Sequence, residues 1–261
     1  AKIISFQTSN RRNVIDKICQ TGSIVTLATG RTFQSALFST TELSLFCPII
    51  SSQGAHIGDP VTRQVLWHQT LTNDMTLSVL ENLSCWDGEL LAYVGDNVYT
   101  SMWTPWVEGY VKRNKGFVRV VPDFRIMTGN EFTRIVAVGE ENEICSLEAD
   151  LKSVFHESLY ITRSLPNFCE ILNPKAGKHN ALSWLCRYLG VGREHTIAFG
   201  NAQEDSGMLR WAGLGIAVGR ASPMVIDAAD EVAAPVEEDG VAYILEDMLN
   251  RGLISPHVSK P

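Results

Sequence analysis

The sequence predicts an α/β fold in which a parallel sheet flanked by helices is interrupted by an inserted α+β domain. Three observations predict it. Short apolar runs alternate with helical apolar periodicity up to about residue 75 and again in the last third of the chain. Between these stretches the rhythm breaks, and strand-like runs follow one another with fewer helical segments. Several apolar runs also end in Thr, Gly, Asn or Gln, at the carboxyl ends of predicted strands, where open parallel sheets bind ligands.

In chain order, residues 2–6 (KIISF) form a β-branched and aromatic run that predicts a first buried strand. Thr8, Ser9 and Asn10 are helix-capping types, and residues 11–20 set Val14, Ile15 and Ile18 on one helical face that Gly22 closes. Residues 23–28 (SIVTLA) predict a second buried strand, running into Thr29-Gly30-Arg31 and a helix over 32–43. Residues 48–52 (PIISS) predict a third strand that ends in Gln53-Gly54-Ala55. In the insertion, strands are predicted over 90–94, 132–138, 159–162 and 168–172, with a helix over 143–155. The α/β rhythm returns with a helix over 178–189 carrying Leu182, Leu185 and Leu189 on one face. Strands then fall at 196–199, 214–218 and 231–233, and helices at 205–212, 223–229 and 241–249.

The 261 residues, 45% apolar and 20% charged, suffice for one large or two modest domains with a core that needs no staple. Twenty-two basic against 29 acidic residues leave a net charge of −7 with no basic run, which argues against nucleic acid or an anionic membrane as partner. No apolar run has transmembrane length, and the first residues lack the apolar stretch of a signal peptide. Cys19, Cys47, Cys85, Cys145, Cys169 and Cys186 are scattered without a CxxC pair, mostly in apolar surroundings. They predict reduced core thiols and a cytoplasmic location, and the histidines do not pair with them at zinc spacing.

The predicted strand ends gather residues 7–9, Thr29-Gly30-Arg31, Gln53-Gly54, Gly200-Asn201 and Glu204-Asp205, while Lys178 opens the helix after the insertion. A hydroxyl, backbone amides and a lysine suit a phosphate group, and an aspartate such as Asp205 suits Mg²⁺. Each residue also has a plain structural role open to it: Thr29 as a helix cap, Lys178 as a solvated charge, Asp205 as a first-turn acid. The glycine-rich stretch 213–219 lacks GxGxxG spacing and supports no dinucleotide site. Trp103, Trp106 and Tyr110, with Pro105, form an aromatic cluster that either lines a substrate pocket or packs a core.

Five segments in order resemble the haloacid dehalogenase superfamily, in its branch of Cof-type, class IIB-capped sugar phosphatases. Residues 23–31 (SIVTLATGR) are similar to the second motif, and 49–55 (IISSQGA) to the following II-x-N-G-A segment, with Gln53 in place of Asn. Residues 170–182 (EILNPKAGKHNAL) resemble the third motif, 197–219 the fourth motif and its strand, and 237–242 (EEDGVA) a closing element. The resemblance implies a three-layer Rossmann-like core over 1–75 and 174–261 and a cap over 76–173. It implies a Mg²⁺-dependent phosphohydrolase for a small phosphorylated metabolite such as a sugar phosphate, working as a monomer or homodimer. Thr29 and Lys178 would be the catalytic phosphate ligands, with Gly30, Arg31 and Gln53 beside the substrate. Asp205, Asn201 and Glu204 would form the metal site.

Two departures bear on activity. The family's first motif, DxDGT, brings an Asp nucleophile and a second Asp as acid and base, but here Phe6 runs directly into Gln7-Thr8-Ser9. The fourth motif, usually GDxxND, reads GNAQED. A non-catalytic phosphometabolite-binding protein, or a scaffold, therefore stands beside the hydrolase as a reading of this sequence.

Overall fold

The computed structural model describes residues 9–114 and 117–254. The predicted strand 2–6 and residues Gln7 and Thr8 lie outside these. The chain opens with helices α1 (Ser9–Gln20) and α2 (Phe33–Leu43), the latter capped by the Thr32 side chain, which accepts from the Ser35 amide. Strands β1 (Ile49–Ser51), β2 (His56–Gly58) and β3 (Val65–His68) then form an antiparallel sheet in the order β1-β2-β3. The predicted strand 23–28 is reduced to a contact along β1: Ala28 bridges Ile50 in parallel, and the Ile50 amide donates to the Leu27 carbonyl. The expectation of a buried strand there is corrected, because the segment pairs on one side only among the described residues and Ile24 is exposed.

The insertion follows. Its elements are α3 (Asn73–Asn82), β4 (Glu89–Val94), β5 (Asn97–Thr100), α4 (Pro105–Asn114), β6 (Val118–Val120), β7 (Phe132–Val138), α5 (Glu141–Phe155), β8 (Tyr160–Leu165) and β9 (Phe168–Leu172). Its six strands form one mixed sheet in the order β6-β5-β4-β7-β9-β8. The helices α3 and α5 cover one face through Val79, Leu80, Ile144 and Leu151, packed on Phe132, Ile135 and Ile171. Trp106 and Tyr110 of α4 cover part of the other face, beside Leu91, Tyr93 and Val136. The aromatic cluster is thus mainly packing: Trp106 stacks on Tyr110 with centroids 5.5 Å apart, while Trp103 stays half exposed.

The chain returns to the core with α6 (Lys178–Leu189), β10 (Ile197–Gly200), α7 (Ser206–Trp211), β11 (Leu214–Val218), α8 (Pro223–Ile226), β12 (Glu231–Ala233) and α9 (Gly240–Asn250). β10, β11 and β12 pair in parallel. The two three-stranded sheets share one apolar cluster, in which Ile50 and Ile57 meet Ala181, Leu182 and Leu185 of α6 with Ala198 and Ala217. This is the predicted architecture, an α/β core with an inserted α+β cap. The thiol expectation is only partly met: Cys169 and Cys186 are buried, but Cys19, Cys85 and Cys145 are exposed, and all six are free. Among the described residues no helix is long and apolar enough to cross a membrane.

Candidate active site

Main-chain hydrogen bonds draw three loops together. The Thr29 amide donates to the Ile50 carbonyl, extending the β1 contact into the turn 29–31. The amides of Ser52 and Gln53 donate back to the carbonyls of Arg31 (2.7 Å) and Thr29 (3.2 Å). The Gln53 carbonyl accepts from Gly177 at 3.0 Å, which brings the start of α6 alongside. Gln53 sits at φ 57°, in the left-handed region, and its amide group lies directly over Gly30. A Cβ at Gly30 would collide with that amide, so glycine is required there. Thr29 is buried and does not cap α2; its Oγ1 accepts from the Arg31 amide at 3.2 Å within the turn.

Lys178 is wholly buried at the first position of α6. Its Nζ lies 2.6 Å from Asp205 Oδ1 and 3.6 Å from Glu204 Oε1. Both carboxylates are buried in the short 3₁₀ turn Gln203–Asp205 between β10 and α7. The other oxygen of Asp205, Oδ2, accepts from the amides of Asn201 and Ala202, each at 3.0 Å. Burial opposes the Lys178 charge, but Asp205 and Glu204 outweigh it and hold the ammonium pKa above its usual value. Burial likewise opposes the Asp205 charge, and Lys178 with the Ala202 amide holds that carboxyl below the usual range. The predicted helix over 205–212 is thus split: the 3₁₀ turn aims the carboxylates and α7 starts only at Ser206.

The cap closes over these loops. Arg134 of β7 donates through Nη1 to the Gly30 carbonyl at 2.7 Å and to Glu170 Oε2 of β9 at 2.6 Å. Gln53 Nε2 donates to Glu170 Oε1 at 3.0 Å. β8 packs against the 203–205 turn, and its Tyr160 feels the Lys178 charge. Burial pushes the Tyr160 phenol up to about 12.

A family model, haloacid dehalogenase-like hydrolase, matches residues 5–245. The chain belongs to the haloacid dehalogenase-like hydrolases. Among relatives of this chain, the 5-amino-6-(5-phospho-D-ribitylamino)uracil phosphatase YitU of Bacillus subtilis is 28% identical over 246 residues, covering 92% of this chain and 90% of that one. A haloacid dehalogenase-like hydrolase from Bacteroides thetaiotaomicron has a solved structure that matches with a TM-score of 0.79, at 26% identity over 92% of each chain. A subclass IIB sugar phosphatase matches in fold with a TM-score of 0.80 at 21% identity, over 94% of this chain and 92% of that one.

In this chain the loops bring Thr29, Gly30, Gln53, Lys178, Glu204 and Asp205 together. They leave out the side chains of Arg31 and Asn201, which are exposed and contribute only their backbones. The donor set does not complete a Mg²⁺ site. Both oxygens of Asp205 are engaged by an ammonium and two amides, Asn201 offers an exposed amide, and no cluster of three His, Cys, Asp or Glu side chains shaped for a cation occurs among the described residues. Sequence reasoning missed Arg134 and Glu170. The signal was present, since each is a lone charge inside an apolar strand run, FTRIVAV and FCEIL.

Proposed function

We propose that this hydrolase-family chain takes a small phosphate monoester of the sugar or polyol class, with its phosphoryl group at Thr29, Gly30 and Lys178. One observation carries this reading: a wholly buried lysine heads α6 between two buried carboxylates, and the residue before it is joined through the Gln53 backbone to the Thr29 turn. Removing such a charge cluster from water is costly, and such clusters gather at functional sites. Lys178 and the Thr29 hydroxyl would bind phosphoryl oxygens, and a preorganised ammonium favours the charge of the transferring group. YitU, named as the phosphatase of a phosphoribityl compound, supports the ester class.

A second reading, binding without turnover, is favoured by one specific feature. No Asp-x-Asp pair occurs anywhere in the 261 residues, so the family's aspartyl nucleophile with its acid–base partner has no counterpart in this sequence. The test is isothermal calorimetry with inorganic phosphate and ribose 5-phosphate, run beside a phosphate-release assay, each with and without Mg²⁺. Binding that weakens at least about tenfold in Lys178→Met supports the site. Release that tracks the same loss supports hydrolysis, and binding with no release supports the second reading. No binding of either ligand to the unaltered protein would overturn both.

A further inference from the structure

Two exposed edge strands, one on the cap and one on the core, carry opposite charge. Among the described residues, β6 ends the cap sheet beside β5, and β12 ends the parallel sheet beside β11. On β6, Val118 packs inward on Trp106 and Tyr110 of α4. Phe117 and Arg119, on either side of Val118, face outward as strand alternation requires, and Phe117 is 92% exposed. Nearby, Lys112 is paired with Glu108 and Arg125 with Asp123, whereas Arg113 and Arg119 have no ion pair among the described residues. In a chain of net charge −7, a bare aromatic ring between two unpaired cations marks a contact surface.

A groove of the opposite character opens between β12 and α9, with a volume of about 450 Å³. Leu214, Ile244, Met248 and Leu253 line it with apolar surface, and Glu231 and Tyr243 add polar groups. Tyr243 and Leu253 are more than half exposed, so this surface faces solvent. Asp247, also at the groove, is neutralised by Arg251 at 3.0 Å, which leaves Glu231 to set its net charge. The volume is ample for one aromatic side chain.

We infer that a second copy of this chain fills the groove, its cap inserting Phe117 between β12 and α9 with Arg119 set beside Glu231 of the first copy. Charge selects this pairing over the symmetric ones. Two β6 edges brought together would set Arg119 against Arg119, and two β12 edges Glu231 against Glu231, and like charges facing one another destabilise a contact between strands. Cap edge against core edge sets opposite charges together. Each chain thus carries both halves of a head-to-tail contact, which closes into a ring of copies or extends into a row. Both halves lie on sheet edges, the places where chains most readily meet. One aromatic side chain buries far less than the about 800 Å² per partner of a stable interface, so the association is weak and appears at high concentration. The phosphoryl loops take no part in it.

The experiment is sedimentation equilibrium of the whole protein from about 5 to about 500 μM at low salt. The average mass is expected to rise above that of one chain as concentration increases, and to fall back when salt is added, because exposed charges are screened. Phe117→Ser, Arg119→Glu and Glu231→Arg should each weaken association by about tenfold or more. All three positions are exposed, and circular dichroism checks that the variants fold. An equimolar mixture of Arg119→Glu and Glu231→Arg restores opposite charges at the contact, so it should associate again to within about threefold of the unaltered protein. A mass that stays at one chain up to about 500 μM overturns the inference and leaves the groove to another occupant. Association that Phe117→Ser leaves unchanged overturns it as well, and so does a mixture of the two charge variants that remains monomeric.

Discussion

At the scale of single residues, the charge cluster around Lys178 has a measurable signature. Its side chain and those of Glu204 and Asp205 are almost wholly buried, so solvent screens them little. Lys178→Met would leave two carboxylates buried without their cation, an arrangement that costs about 3–5 kcal/mol. Urea unfolding near neutral pH should show that loss, and a loss under about 1 kcal/mol would mean the carboxylates reach water by themselves. The depressed Asp205 contributes stability that is full at neutral pH and disappears as the medium is acidified through its folded value. The raised Lys178 contributes below about pH 10.4 and is lost only as pH climbs past its folded value. The pair therefore holds across the neutral range. His56 behaves differently: burial, with His68 5.3 Å away, lowers its pKa to about 4, and its Nδ1 meets the Ser51 hydroxyl at 3.0 Å. Between its unfolded value near 6.5 and about 4, the unfolded chain binds a proton that the folded one refuses, so acidification destabilises. Allowing for the partial exposure of the ring, unfolding at pH 5 should be easier than at pH 7 by about 1 kcal/mol from this residue. His56→Gln should flatten that difference. If the variant keeps the full pH dependence, the titrating group lies elsewhere.

At the scale of elements, one glycine joins the core loops to α6. Gly54 has φ +84°, and a Cβ there would run into the backbone carbonyl of Gly177, the residue before Lys178. Gly54→Ala combines a left-handed alanine with a clash that no side chain can relieve, and should cost about 2–4 kcal/mol. It should also weaken phosphate binding by displacing Lys178. Equal stability and equal affinity would mean the two loops separate easily. Legibility in the sequence follows the same physics. The strands 132–138, 168–172, 214–218 and 231–233 and the helix 178–189 coincide with β7, β9, β11, β12 and α6. Each is bounded by turn residues and carries apolar positions at its element's spacing, with single charges such as Arg134 and Glu170 inside the strands. β2 and β3 went unread because HIG and VLWH are too short to show a period. α4 was not legible because Gly109 interrupts its interior and weakens the helical signal that Pro105 opens. Thr29, Gly30 and Gln53 were legible as strand-end residues, and Lys178 as the residue that opens a helix. The Arg134–Glu170 pair was not, because only the pairing of β7 with β9 brings two charges 36 residues apart to 2.6 Å.

At the scale of the whole molecule, the chain crosses between core and cap twice, and side chains tie the crossings. Asn173 Nδ2 donates to the Thr70 carbonyl at 2.7 Å, and His68 Nε2 meets Thr133 Oγ1 at 2.9 Å. The two large apolar clusters are separate, one centred on Phe132 and Ile135, the other on α6 and α7, and a small cluster of Ala55, Leu172 and Ala176 joins the two sides. We propose that residues 76–173 and the core formed by 1–75 and 174–261 therefore open as distinct cooperative units. Hydrogen exchange should then sort amides into two classes, one for the cap sheet and one for β10 and β11. A phosphate ester that touches both sides changes this pattern in a definite way. At about 100 times its dissociation constant it stabilises the bound form by about 2.7 kcal/mol. If its phosphoryl sits at Thr29 and Lys178 while its leaving group lies against Arg134, which holds the Gly30 carbonyl, opening either unit must first release it. Exchange should then slow by up to about a hundredfold in β7 and β9 as well as around Lys178. Inorganic phosphate, which does not reach the cap, should slow the core amides alone. Ribose 5-phosphate that protects only the core would place the leaving group outside the cap and leave Arg134 as no more than a strut between the two units.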